Sequence, residues 1–254
     1  MNPNRTLPRI MHGEDEPIFQ LLPETVLANL RQPASENALL WNILYPLARP
    51  TLSLGMLLDC AFLWGTAQTR EDELTPYFWG FDIEGSRLEE LDEVLALAEG
   101  PGPKTEVDLF LRGKKNLILV EAKNRSGLGQ CARYRSKRCP EVDPSYGTCI
   151  YWTESPGLQD VLRFEKPLPA DEGVPACSRH YQLARTLLLG ERLARRWGLD
   201  LHVWLFLPAA RWRTLLPAWH DLTDHVRESG LWRNMRVIAW EELQALSARR
   251  SGVD

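Results

Sequence analysis

The 254-residue sequence lacks the features of a membrane or secreted protein. It contains no run of eighteen or more apolar residues, so no membrane-spanning helix is predicted. Its first residues, MNPNRTLPRIMHGEDEP, have no apolar core behind a basic start. A secretory signal is therefore not expected, and the cytoplasm is the expected compartment.

Cysteine is also scarce, and its pattern is uninformative. The five cysteines are an odd number at irregular spacings, and no CxxC pair occurs. Disulfides, a structural zinc site and an iron–sulfur cluster are therefore not expected, because the gaps are long and no close pair anchors such a site.

The motifs of several other protein classes are missing. No P-loop occurs, so an ATP-driven motor is not supported, and the five histidines show no HxxxH or HExxH spacing. The net charge of −4 argues against a protein that coats nucleic acid by global attraction. Lysine is rare, with 6 Lys against 24 Arg, which suggests a GC-rich prokaryotic genome.

The pattern that is present indicates one soluble α/β protein. Hydrophobic residues make up 44% and charged residues 25% of the chain, as in globular domains. Apolar strands alternate with amphipathic helices, which predicts a mixed central sheet with helices on both faces. The predicted helices cover 35–48, 53–64, 86–100, 128–138, 180–198, a stretch after Arg211 and 241–249, and the predicted strands cover 76–83, 105–112, 117–123, 145–153, 201–208 and 235–240.

The stretch TEVDLFLRGKKNLILVEAK, residues 105–123, predicts a hairpin that carries charges in an apolar setting. Alternate side chains of a strand share a face, so Glu121 and Lys123 lie side by side. With the turn centred on 113–115, Asp108 lies across from the end of the second strand. Two carboxylates and an ammonium group are therefore expected on one patch.

Charges in such a sheet are costly unless they are paired or bind a metal. A salt bridge of Lys123 with Asp108 or Glu121 is one solution. Two carboxylates and one ammonium group still leave one negative charge, which a divalent cation would neutralise. Mg²⁺ binds one or two protein carboxylates and keeps positions for water and phosphate, while a neighbouring lysine can orient or deprotonate the attacking water. Phosphodiester hydrolysis uses all three groups.

Asp108 followed on the next strand by Glu121-Ala122-Lys123, behind the apolar run LILV, resembles the active-site signature of the PD-(D/E)XK nuclease superfamily, the restriction-endonuclease-like fold. Val107 occupies the position of the proline in the family name, a proline that is frequently replaced in the family. The family core runs helix, three strands, helix, strand, and the elements predicted within 35–153 follow that order, with extra helices between the first elements. The resemblance implies a nuclease core at 35–153, after an N-terminal arm (1–34) and before a C-terminal α/β extension (154–254) packed on the same sheet.

The resemblance also implies a metal site. Asp108, Glu121 and the backbone carbonyl of Ala122 would bind Mg²⁺, which Mn²⁺ can replace, and Lys123 would assist the nucleophilic water. Glu36, on the first core helix, matches a glutamate that adds a metal ligand in many members. An acid at the start of a helix also interacts favourably with the helix dipole, so Glu36 needs no metal to explain it.

A second motif concerns the substrate. Gln130 and Tyr134 have the spacing of the QxxxY motif of RecB-like nucleases, and one helical turn would put them on one face. They would contact the substrate backbone or order the metal waters, although Tyr134 could equally pack on the sheet. Basic residues nearby would contact phosphates or simply face solvent: Arg133, Arg135, Lys137 and Arg138.

The expected function is a Mg²⁺-dependent nuclease that acts on DNA rather than RNA, in a superfamily that serves restriction, repair, mobile elements and antiviral defence. The alternative is a catalytically inactive nucleic-acid-binding or partner-docking module whose 154–254 segment supplies the interface. Hydrolysis of another substrate would leave the basic helix without a partner. A homodimer or a complex with other proteins is compatible with the sequence, which shows no dedicated interface.

Overall fold

The computed structural model describes residues 12–49, 51–66, 71–100, 107–169 and 173–251. The helices are α1 (Glu24–Leu30), α2 (Glu36–Leu47), α3 (Leu54–Leu58), α4 (Leu91–Glu99), α5 (Ala132–Arg135), α6 (Ile150–Thr153), α7 (Leu158–Val161), α8 (Ala176–Arg179), α9 (Tyr181–Trp197), α10 (Trp212–Asp224), α11 (Ser229–Arg233) and α12 (Trp240–Ser251). Short 3₁₀ helices cover Pro17–Gln20, Pro144–Tyr146 and Ala209–Arg211. The strands are β1 (Leu52–Ser53), β2 (Phe62–Trp64), β3 (Glu73–Phe78), β4 (Leu109–Arg112), β5 (Asn116–Ala122), β6 (Asp200–Leu207) and β7 (Met235–Ala239).

These strands form one mixed sheet in the order β1-β3-β4-β5-β6-β7-β2. Strands β5, β6 and β7 are parallel, whereas β4 pairs antiparallel with β5 and β3 antiparallel with β4. Parallel strands are buried on both faces, which explains the continuous apolar run of β6. The predicted α/β architecture with a mixed central sheet is confirmed.

Helices cover both faces of the sheet and enclose two hydrophobic cores. One core lies between the sheet and α4, α9 and α10, and the other lies between the sheet and α1, α2 and α12. Helix α9 is strongly amphipathic and buries most of its length against β5 and β6. Because α9 packs on this face of the sheet, it contacts the β5 side chains that point to the same face.

The hairpin of β4 and β5 is fixed at its turn by Asp72. This carboxylate accepts backbone hydrogen bonds from Lys114 (3.1 Å), Lys115 (2.8 Å) and Asn116 (3.0 Å). A Cβ atom on Gly113 would lie 2.2 Å from an Asp72 oxygen, so the turn needs glycine at this position. The turn therefore sets the register in which Leu109 pairs with Val120.

Two predicted elements are wrong. Residues 145–153 form the end of a 3₁₀ helix and helix α6 rather than a strand, because the position beside β5 is taken by β6, whose apolar run pairs along its whole length. Of the predicted helix 128–138 only α5 is helical, and it has no buried residue. A segment without an apolar stripe gains nothing by packing as a longer helix.

Other boundaries shift. The predicted helix 53–64 is the short α3 followed by strand β2, and the helix predicted from Ser86 begins only at Leu91, after Glu90 in a left-handed conformation. The first two residues of the predicted strand 105–112 lie outside the described residues. The predicted helices at 35–48 and 180–198 and the strands at 201–208 and 235–240 are confirmed, to within a few residues.

The division of the chain into arm, core and extension stays a prediction. Strands β6 and β7, from the predicted extension, lie in the same sheet as the hairpin. The strand that pairs in parallel with β5 is therefore β6, and the helix that packs on both strands is α9. The predicted helix 128–138 and strand 145–153 do not take these positions. In the described part of the chain, no helix is both long and apolar enough to cross a membrane.

Candidate functional site

Three charged side chains meet at one end of the central strands, where β4 begins and β5 ends. Asp108 directly precedes β4, Glu121 lies near the end of β5, and Lys123 follows β5. Strand alternation puts all three on the face that α9 covers. The structure thus brings together the three residues whose convergence the hairpin predicts.

The two acids are close enough to influence each other's protonation. Burial and the neighbouring carboxylate of Glu121 raise the pKa of Asp108 well above its usual value, against the lowering effects of Lys123 and of a hydrogen bond from Ala122. That bond joins the Ala122 backbone N–H to Asp108 Oδ2 at 2.8 Å. Two neighbouring carboxylates of this kind share a negative potential that favours a proton or a cation.

Lys123 is held as an ammonium ion by the acids around it. Its Nζ donates to Glu121 Oε1 at 2.9 Å, and both side chains are almost fully buried. Burial alone would lower the pKa of Lys123, but the charges of Glu121 and Asp108 outweigh it and raise the pKa. The salt bridge that the sequence suggested as one solution is therefore formed with Glu121.

Helix α9 supplies two further contacts to Glu121. Gln182 Nε2 donates to Glu121 Oε1, and Thr186 Oγ1 donates to Glu121 Oε2 at 3.5 Å. The same hydroxyl lies 3.1 Å from the Gln182 carbonyl, so its one hydrogen is shared between these two acceptors. Glu121 is thereby fixed from the helix as well as from Lys123, while Asp108 stays partly exposed. Of the three charged side chains, only that of Asp108 is therefore more than slightly exposed.

The loop after β5 is clamped from two directions. Glu36 Oε1 accepts from the backbone N–H of Asn124 (2.7 Å) and of Ser126 (3.2 Å) and from the Ser126 hydroxyl (2.6 Å). Arg211 Nη1 donates to the carbonyls of Asn124 (2.9 Å) and Ser126 (3.1 Å). Burial opposes ionisation of Glu36, but these hydrogen bonds and the charge of Lys123 outweigh it and lower the pKa of Glu36.

Gln130 and Tyr134 do not reach the carboxylates. Gln130 is exposed, and the Tyr134 hydroxyl donates to the Gly173 carbonyl at 2.7 Å. Both residues line a surface groove beside Lys137 instead. The glutamine that touches Glu121 is Gln182, which sequence reasoning missed.

A signal for Gln182 exists in the sequence. Gln182 and Thr186 are polar residues at i and i+4 on the apolar face of an otherwise amphipathic helix. Polar groups buried in such a stripe need partners, and an unpaired glutamate on a neighbouring strand is one. Arg211 carried no comparable signal, because its partners are backbone carbonyls.

The basic residues between 112 and 138 do not form one surface patch. Arg112 stacks on Trp197 and pairs with Glu89, at the far end of the hairpin from Asp108. Lys123 is buried in the site. An exposed basic group remains on and after α5, consisting of Arg133, Arg135, Lys137 and Arg138.

The site offers two carboxylates to a divalent cation. Among the described residues, no three His, Cys, Asp or Glu side chains converge closely enough to hold one ion. Asp108 and Glu121 form a pair, and Glu36 Oε1 is engaged by the loop. Mg²⁺ characteristically takes one or two protein carboxylates and completes its shell with water, so a pair is sufficient for it.

The chain as a whole matches a known family. Residues 29–250 match the family model described as Restriction Endonuclease associating with ARP. The chain belongs to this restriction endonuclease family. Membership supports a restriction-endonuclease-like fold and a nuclease activity. The match covers the predicted C-terminal extension as far as α12. No curated protein and no solved structure matches the chain.

Proposed function

We propose that this member of the restriction endonuclease family is a Mg²⁺-dependent nuclease that hydrolyses phosphodiester bonds in DNA. The observation that carries the proposal is the pair of facing carboxylates, Asp108 and Glu121, with the ammonium group of Lys123 beside them at an edge of the sheet. In open α/β sheets, ligands bind outside the carboxyl ends of the strands, and β5 ends at this edge.

Asp108, Glu121 and the carbonyl of Ala122 would hold the cation. The Ala122 N–H points to Asp108, and in an extended strand the carbonyl of the same residue points to the same side. A bound Mg²⁺ would polarise the phosphoryl group and lower the pKa of a bound water. Glu36 would act on the site by fixing the loop that follows Lys123, as its three hydrogen bonds favour.

Each remaining residue has a role set by its contacts. Lys123, kept protonated by its neighbours, is suited to neutralise charge that develops on the phosphoryl oxygens rather than to accept a proton. Gln182 and Thr186 orient Glu121 from α9. Arg133 and Lys137, exposed in the surface near Gln130 and Tyr134, would bind phosphates away from the cleaved bond, with an affinity that falls as salt rises.

The family description also names an association with ARP, and we extend that association to this chain as a proposal. Action with a partner protein, in defence against foreign DNA, accords with a restriction endonuclease family. The overall charge of −4 accords with it too, because local basic residues and a partner can supply the binding that the whole surface does not.

The test is cleavage of supercoiled plasmid, single-stranded DNA and RNA with Mg²⁺ or Mn²⁺. We expect DNA cleavage that a chelator abolishes and that falls at least about a hundredfold in Lys123→Ala and Asp108→Asn. Lys115→Ala is the matched control, since Lys115 is an exposed lysine at the other end of the hairpin. Cleavage that survives both site substitutions would show that the activity comes from a contaminant and not from this site. That result would contradict the proposal.

One observation favours a non-catalytic module. The buried pair of Glu121 and Lys123, completed by Gln182, satisfies itself without a metal. Such a module would bind DNA without cutting it and would take up no Mn²⁺. Asp108 is the residue that this alternative leaves unexplained, because a second acid beside a satisfied pair destabilises a purely structural site.

A further inference from the structure

A cavity of about 520 Å³ lies next to the carboxylate pair, on the face of the sheet that α9 covers. Val107 and Phe110 line it, and these residues lie one and two positions from Asp108 along the chain. Leu189 of α9 also lines it, about one helical turn beyond Thr186, which contacts the second carboxylate. The cavity therefore adjoins the place where the proposed function puts the cleaved bond, and its volume is typical of small-molecule pockets.

The lining of this cavity is apolar and aromatic, with one cation whose charge is already used. Among the described lining residues Arg87 is the only cation. Its guanidinium group lies 4.6 Å from the centroid of the Phe81 ring and donates to Asp92 Oδ1 at 2.6 Å. A phosphate group would therefore find no unpaired positive charge here. A flat aromatic ring would instead find the side chains of Trp79, Phe81 and Phe110 to pack against.

One buried hydrogen-bond donor of the lining lacks an acceptor. Trp79 is only 3% exposed, and its Nε1–H has no hydrogen-bond partner among the described residues. The indole groups of Trp197, Trp204 and Trp219 share this property, but these residues do not line the cavity. Buried donors are nearly always paired. The indole of Trp79 therefore points to a ligand that carries a hydrogen-bond acceptor.

The backbone of Trp79 is strained in a way that ties it to the carboxylate pair. Its φ of +50° lies in the left-handed region, which a bulky residue rarely adopts. Two hydrogen bonds hold this conformation: the Trp79 N–H donates to the Asp108 carbonyl at 3.1 Å, and the Trp79 carbonyl accepts from Arg87 Nη1 at 3.0 Å. Strain of this kind concentrates at ligand sites. The indole and the Asp108 segment are thus positioned together.

We propose that this cavity binds one nucleobase of the DNA strand, unstacked from its neighbours, next to the carboxylate pair. The inference rests on the proposed nuclease function, which supplies the DNA. The base packs among the aromatic side chains and accepts a hydrogen bond from Trp79 Nε1–H through a ring nitrogen or a carbonyl oxygen. Every DNA base has such an acceptor, so the cavity recognises a base as such rather than one sequence.

A bound base would help the proposed reaction by positioning the strand. Stacking on aromatic side chains is favourable for every base, and it offsets the cost of taking the base out of the stack. The sugar and phosphate attached to a base in this cavity are held beside Asp108 and its neighbours. Fixing the reacting group in this way is a general means of lowering a reaction barrier.

The test is a nuclear magnetic resonance titration of the full chain, labelled with ¹⁵N at tryptophan and kept free of metal by a chelator. The indole N–H signal of Trp79 is assigned by through-bond correlations. One probe is a short single strand of mixed sequence, and the other is a strand of equal length whose nucleosides are replaced by abasic sugar units. We expect the Trp79 signal to move with the first probe and to stay in place with the second.

Variants separate the indole donor from the cavity itself. Trp79→Phe should weaken binding of the normal strand by about three- to tenfold, because the hydrogen bond is lost. Leu95→Phe fills the cavity from α4 and should weaken it by roughly fivefold to a hundredfold, because the stacked base is lost. Neither variant should change binding of the abasic strand. Trp219→Phe is the matched control, since it removes an equally buried, unpaired N–H that packs against Trp64 instead.

The wild-type spectra decide the matter even if a variant fails to fold. A Trp79 signal that does not move with the normal strand, or that moves equally with the abasic strand, would overturn the proposal. Equal weakening in Trp79→Phe and Trp219→Phe would also overturn it. No cleavage occurs in this experiment, so the two proposals can fail separately. An active nuclease whose Trp79 signal is unaffected by DNA would lack the base pocket, whereas an inactive protein that shows the shift would retain it.

Discussion

Asp108 is a carboxyl group whose surroundings disfavour its charge. Burial and the Glu121 carboxylate both raise its pKa, and Lys123 is engaged by Glu121 instead. A group of this kind costs stability at neutral pH when no cation is bound, as functional residues often do. The presence of this acid is therefore easier to explain by a ligand than by packing.

Asp108→Asn should stabilise the metal-free protein while it abolishes cleavage. The amide removes the repulsion with Glu121 and still offers an oxygen to the Ala122 N–H. We expect a rise in Tm of about 2–4 °C, which about 1 kcal/mol produces in a chain of this size. Thermal unfolding with a chelator present measures it, and a lower Tm would show that the pair is not strained.

His202 predicts a loss of stability in mild acid. It is fully buried between Asn116 and Arg236, and Arg236 Nη1 donates to its Nδ1 at 3.0 Å, so Nε2 carries the proton that is donated to Asn116. Burial and the charge of Arg236 lower the pKa of His202 to about 3. The unfolded chain takes up a proton below its ordinary pKa of 6.5 while the folded chain does not, so stability decreases as the pH falls.

Between pH 7 and pH 5 this one group should cost about 2 kcal/mol of unfolding free energy. Urea unfolding at the two pH values measures the difference. His202→Gln should be less stable at pH 7 but should show a clearly smaller decrease towards pH 5. An undiminished decrease in that variant would assign the pH dependence to other groups, such as His180, whose pKa burial also lowers.

At the scale of elements, the β4–β5 hairpin depends on a residue outside it. Asp72 accepts four hydrogen bonds, three from backbone N–H groups of the turn and one from the Asn116 side chain at 3.0 Å. Asp72→Ala should leave these donors without an acceptor and reduce the unfolding free energy by about 2–3 kcal/mol. The neighbouring exposed Glu73→Gln should change it by less than about 0.5 kcal/mol in the same urea titration. Equal effects would refute the anchoring role.

Glu36 tests the loop that follows β5. Glu36→Ala removes the acceptor of the Asn124 and Ser126 amides, and hydrogen exchange at both should speed up by roughly tenfold or more, as the loss of about 1.5–3 kcal/mol implies. Glu36→Gln keeps an acceptor oxygen and should preserve most of the protection. If Glu36 is a metal ligand instead, the two variants should weaken Mn²⁺ binding alike while loop exchange in Glu36→Gln stays near that of the wild type.

The local pattern of the sequence was enough to predict the hairpin and the meeting of Asp108, Glu121 and Lys123, because strand alternation and a tight turn are short-range rules. It was not enough to predict which helix covers the site. SYGTCIYWT has the composition of a strand but no sheet edge to join, and the QxxxY spacing at 130 lies on a segment with no apolar face. Competition between β6 and residues 145–153 for one position beside β5 is a long-range decision that neither segment reveals alone.

At the scale of the whole molecule, the sheet separates structural and functional charges. Its turn end holds Asp72, His202 and Arg236 in buried hydrogen bonds. The opposite end, where β5 stops, carries the acids and the lysine, with Asp108 partly exposed. Buried polar groups are thus satisfied at one end, whereas the other end keeps a second carboxylate whose surplus of negative charge a proton or a bound cation would balance.

Calorimetric titration of the metal-free protein with Mn²⁺ tests that surplus most directly. We predict saturable binding by the wild type and by Glu73→Gln, and an affinity at least about tenfold lower in Asp108→Asn, since about 1.4 kcal/mol of lost ligand interaction has this effect. No uptake by the wild type, or equal affinity in Asp108→Asn, would contradict a metal site at the carboxylate pair.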